Sequence, residues 1–129
     1  MIVLDSSAAV DFLVSGHRGE WVAGQLEAVD EAHAPHVLDV EVVAALRTLV
    51  SHGTLSPELA GHALEDLEQM NVIRYPHVPL LPKMWELRDN LSAADAAFVV
   101  LAEALALPLV TTDLRLVGAP GLGIEIRTP

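Results

Sequence analysis

Residues 92–113 read SAADAAFVVLAEALALPLVTTD, a helix passing directly into a strand. Ser92 and Asp95 open the helix in the Ser-x-x-Asp form of a capping box, where the helix dipole favours an acidic side chain. The apolar run SAADAAFVVLAEALA carries it onward. PLVTTD then reads as a strand that stops on Asp113, so two acidic residues stand at the two ends of one helix–strand unit.

Working outward, the same alternation recurs along the chain. MIVLD, residues 1–5, is apolar without alternation, as in parallel strands covered on both faces, and it too stops on an acid, Asp5. Ser6 or Ser7 is placed to cap a helix SSAAVDFLV, which Ser15, Gly16 and Gly19 interrupt, and a second helix is expected over about residues 20–29. A short strand over 32–36 leads into VLDVEVVAALRTLVSHG, a helix stopped by Gly53. Ser56, Pro57 and Glu58 start a helix to about Met70. Residues 72–75 read as a strand, a proline-punctuated connection leads to a short helix over 84–89, and IEIR closes the chain as a strand after a Gly/Pro loop. Strands alternating with helices predict an α/β domain with a mostly parallel central sheet flanked by helices in three layers. No repeat or linker divides residues 1–129, which are expected to form a single domain.

The 129 residues are 52% hydrophobic and only 4% aromatic, so the core must come from Ala, Val and Leu. Cysteine is absent, which excludes disulfides, thiolate zinc sites and thiol nucleophiles, and agrees with a reducing cytoplasm. The N-terminal segment lacks the basic start of a signal peptide, and Asp5 and Asp11 interrupt it far short of a membrane span. Net charge is −11, from seven Lys plus Arg against eighteen Asp plus Glu. Proteins that grip nucleic acid usually carry a basic face. Divalent cations that neutralise carboxylates and phosphate together, or a basic partner that covers the acidic surface, would reconcile this charge with a nucleic-acid substrate.

In open parallel sheets, sites form beyond the carboxyl ends of the strands. Asp5, Asp95 and Asp113 are expected at that edge, with Glu41 early in its helix. Each of the three Asp residues also has an ordinary role: Asp5 as a cap, Asp113 in an Asx turn, Asp95 in a capping box. Glu41 has only Val37, Leu38, Ala44 and Ala45 at helical spacing, with no cation to serve it. Glu103, roughly 12 Å along the axis from Asp95, and Asp39, turned about 200° from Glu41, fall outside the cluster. Converging carboxylates repel, and a hard divalent cation such as Mg²⁺ or Mn²⁺ resolves the conflict. The six histidines are scattered, and most are expected at the surface.

Four blocks together resemble the PIN-domain family and its VapC toxin branch: IVLDSSAAVDFL (2–13), VLDVEVVAALR (37–47), LSAADAAFVVLAEALALPLVTTD (91–113) and IEIR (124–127). The resemblance covers nearly the whole chain. It implies a PIN-like fold and a Mg²⁺- or Mn²⁺-dependent endoribonuclease, the toxin of a toxin–antitoxin pair, with a VapB-type antitoxin and a homodimeric state. The family's four acidic positions fall on Asp5, Glu41, Asp95 and Asp113, with Asp5 and Asp95 holding the metal most directly. Ser6, Thr112, Arg88 and Arg115 are candidates for contacting RNA or its phosphates. Alternatives are a PIN-like module that binds RNA or protein without cutting, a structure-specific DNA nuclease, and a phosphorylation receiver domain, for which Lys83 would have to be the lysine near the site.

Overall fold

In the computed structural model, described over residues 1–119 and 121–129, five parallel strands form one sheet in the order β3-β2-β1-β4-β5. Pro120, in the Gly/Pro connection, lies outside the described residues. The strands are β1 (Ile2–Leu4), β2 (Ala32–Pro35), β3 (Val72–Tyr75), β4 (Leu109–Val110) and β5 (Ile126–Arg127). Between them run α1 (Ser6–Val14), α2 (His17–Glu27), α3 (Val37–Ser51), α4 (Pro57–Gln69), α5 (Leu81–Glu86) and α6 (Ala93–Leu105). The predicted sheet is therefore fully parallel.

Every residue of β1 and β2 is buried, which explains the unbroken apolar run of β1, while β2 carries one polar residue, His33, into the interior. Val3 pairs with His33 on one side and Leu109 on the other, so β1 is the centre of the sheet. Helix α6 is buried without interruption from Ala96 to Ala102, as expected of a helix that is apolar all round. Phe98, completely buried, is the largest of the fully enclosed side chains.

This strand order separates the fold from a receiver domain, whose flavodoxin-like sheet runs 2-1-3-4-5. Lys83 contacts Glu103 at 3.4 Å, away from the acidic strand ends. Four elements depart from the sequence reading, the first being β4, which ends at Val110 and so stops short of Asp113. Helix α2 starts at His17 rather than near residue 20: Gly16, at φ 126°, makes the sharp turn, and Gly19 is buried inside the helix instead of breaking it. Helix α5 begins at Leu81, after a 3-10 turn over Val78–Leu80; Pro79 and Pro82 fit because each lies in a first turn that needs no donor. The last strand is confined to Ile126–Arg127, and a 3-10 turn, Leu114–Leu116, follows Asp113. Among the described residues, no helix is long and apolar enough to cross a membrane.

Candidate active site

The chain builds one half of the sheet outward from β1 to β3, then crosses back to place β4 on the other side of β1. Strand order thus reverses between β1 and β4, where a crevice opens beyond the strand ends. Asp5 follows β1 directly, and its amide donates to the Val110 carbonyl of β4 at 3.0 Å. A cavity of about 590 Å³ opens here, and Asp5, Glu41, Asp95 and Asp113 all line it. Asp39 is instead held by Arg74 at 2.7 and 2.9 Å.

Asp5 is only 2% exposed. Its Oδ2 accepts from Thr111 Oγ1 at 2.6 Å and from Ser7 Oγ at 2.7 Å. The two hydroxyls lie 3.0 Å apart, but each has a single proton and spends it on the carboxylate. Their lone pairs accept in turn: Ser7 from the Thr112 amide at 3.1 Å, Thr111 from the Asp113 amide at 3.0 Å. This network ties the end of β1 to the end of β4. Oδ1 is buried without a hydrogen-bond partner among the described residues. Burial pushes the Asp5 carboxyl above its ordinary range and the charge of Asp95 adds to this, against the opposing pull of the Thr111 and Ser7 hydrogen bonds.

Asp95 lies in the first turn of α6, where its amide donates to Ser92 Oγ at 3.2 Å. The capping role and the cavity position therefore coexist. Asp113 accepts the Arg115 amide at 3.0 Å, an Asx-type turn, and its two oxygens also accept from Arg115 Nε at 3.0 and 3.2 Å and Nη2 at 2.6 Å. That guanidinium holds the Asp113 carboxyl below its ordinary range. Glu41, half-buried beside Ala44 and Ala45 on the cavity wall, accepts no hydrogen bond among the described residues.

Ser6, Thr112 and Arg115 also line the cavity. Ser6 does not cap α1; Asp5 occupies the cap position and Ser6 is the first helical residue. Arg88 does not reach the cleft. It lies 4.7 Å over the Trp85 ring and donates to the Trp85 carbonyl at 3.0 Å, lining a separate cavity with Leu81 and Met84. Four residues not singled out in the sequence join the site: Ser7, Thr111, Asp11 and Arg18. Ser7 carried a readable signal, a hydroxyl two residues after the strand-end acid. Thr111 becomes meaningful only once β4 is known to lie beside β1. Of the histidines, four are exposed, while His33 is buried against the Tyr75 hydroxyl at 2.6 Å.

Among the described residues, no group of three or more His, Cys, Asp or Glu side chains is arranged so as to hold a metal ion by itself. The four carboxylates share a cavity but not a coordination shell, as repulsion between uncompensated charges and the engagement of Asp113 by Arg115 require. The donor chemistry nonetheless fits a hard divalent cation: carboxylate oxygens with no thiolate, and one buried oxygen, Asp5 Oδ1, left without a partner.

Residues 2–122 match the family model described as the PIN domain. The chain belongs to the PIN-domain family. Among its relatives, Ribonuclease VapC9 of Mycobacterium tuberculosis is 44% identical over 90% of this chain and 88% of that protein. Ribonuclease VapC1 of the same species is 43% identical over 97% and 95%. Solved structures share the fold: FitAcB from Neisseria gonorrhoeae superposes with a TM-score of 0.68 at 16% identity, covering 100% of this PIN domain and 98% of that chain. VapBC2 from Rickettsia felis, bound to a DNA fragment from its promoter, gives 0.71 at 13% identity over 99% and 98%.

Proposed function

We propose that this PIN domain, spanning residues 1–129, is a divalent-metal-dependent endoribonuclease acting in the cytoplasm as the toxin of a VapBC-type pair. The observation that carries the reading is Asp5: a buried carboxylate with one oxygen fixed by two hydroxyls and the other unpartnered, in a cavity shared with Glu41, Asp95 and Asp113. The names of its close relatives support ribonuclease rather than another phosphodiesterase chemistry.

Asp5 and Asp95 would hold Mg²⁺ or Mn²⁺. When bound, the ion supplies an activated water and neutralises charge developing on the phosphate. Ser7 and Thr111 keep the Asp5 carboxylate in one orientation, so no reorganisation is required when substrate arrives. Glu41, open to the cavity, orients and accepts a proton from water. Arg18 lines the cleft without an acidic partner among the described residues, and is placed to meet an RNA phosphate in a protein otherwise poor in cations.

The test is cleavage of total host RNA, with new ends mapped, by wild type, Asp5→Asn and Asp95→Asn. New ends should appear with Mg²⁺ or Mn²⁺, vanish in EDTA, and be absent for both folded variants. Equal cutting in EDTA, or full activity in both variants, would overturn the metal-dependent reading. RNA binding without new ends under any metal condition would favour a non-cutting PIN module.

A further inference from the structure

Arg115 stands at the cleft with 84% of its side chain accessible, yet its Nε and Nη2 are held by Asp113, whose side chain is 19% accessible. Two guanidinium nitrogens and the Arg115 amide all donate to that one carboxylate. An exposed ion pair ordinarily contributes little. This one differs in geometry: the fork is two-pronged and charge-assisted, and the partners are two residues apart on a 3-10 turn, so little chain entropy is lost in forming it. The guanidinium also lies within the fields of Asp95 and Asp5, which together with Asp113 hold its proton more firmly than usual.

We propose that Arg115 is a built-in cation of this cleft: it occupies Asp113 where a second divalent ion would otherwise bind, so that the site works with one exchangeable metal ion. The inference rests on the metal-dependent reading above and extends it to stoichiometry. Nη1 donates to no acceptor among the described residues, leaving N–H groups for a substrate phosphate while Nε and Nη2 hold Asp113. A second divalent ion would have to displace those charge-assisted bonds, then sit beside the released guanidinium. Arg115 is thus a positioning residue for the fourth carboxylate, and a fixed positive charge takes the role a second metal plays in two-metal nucleases.

Ion stoichiometry tests this directly. Mg²⁺ titration calorimetry and Mn²⁺ binding by electron paramagnetic resonance would be run on the 129-residue chain without antitoxin, its Arg115→Gln variant, and the Asp113→Asn/Arg115→Gln double variant. Wild type should bind one ion per chain, Arg115→Gln two, and the double variant one again. Two ions in wild type, one in Arg115→Gln, or two in the double variant would each overturn the proposal. Wild type binding no divalent ion would overturn the metal-dependent reading and this proposal together. One ion bound without RNA cleavage would remove the nuclease reading and leave Arg115's role standing.

Discussion

Asp5 carries the conflict on which the site depends, a carboxylate both buried and faced by another. Its folded-state carboxyl titrates above the ordinary 3.8, so the metal-free folded protein holds that proton to higher pH than the unfolded chain does. Between the two values the folded state binds more protons, and Asp5's contribution to stability falls as pH rises through that window. Melting curves in EDTA, compared with Asp5→Asn at each pH, should show wild type losing ground as pH climbs above about 4, with Mg²⁺ restoring it. A pH-independent difference would contradict the assignment. Thr111→Val keeps shape but deletes a donor to Asp5 and an acceptor for the Asp113 amide. Denaturant titration should register a loss of about 1–3 kcal/mol, typical of stranded buried polar groups. Asp5 and Asp113 could be selected from sequence because strand-end acids are local features. The hydroxyls between them could not, since Ser7 and Thr111 meet only through the pairing of β1 with β4.

At the level of elements, the helix α6 and the strand β1 were readable because an apolar run, and for α6 the Ser92 cap, are strong and local. The turn from α1 to α2 was not. Gly19 resembles a helix breaker in sequence, but its absent side chain is required by packing: an ideal Cβ there would lie 2.3 Å from the Asp11 carbonyl oxygen. The close crossing of α2 on α1 keeps Arg18 at the cavity wall. Gly19→Ala should therefore force the helices apart and cost about 1–3 kcal/mol, as overpacking does, measurable as a lower denaturation midpoint. Gly24→Ala, where nothing lies within 4 Å of the added carbon, is the matched control and should be neutral or stabilising. Equal effects at the two positions would refute this account of α2.

For the whole molecule, the alternation of strands and helices foretold an α/β fold with a parallel sheet, whereas strand order lay beyond it because order depends on which helices cover which face. The net charge of −11 and the exposed Val78, Leu81 and Trp85 describe a surface with two unmet needs. We expect a homodimer through the apolar strip and an antitoxin bound through arginines near the carboxylates. Sedimentation at micromolar concentration should show a dimer that Leu81→Asp converts to monomer; a monomeric wild type would exclude it. Antitoxin binding should weaken when its arginines are removed.

The central position of β1 also has a consequence in time. Asp5 leaves the ribosome 106 residues before Thr111, which follows the strand β4 that flanks β1. Until β4 docks, β1 lacks one neighbour and Asp5 lacks its Thr111 donor. A nascent chain that has not yet released β4 and the residues after it therefore has no assembled cleft.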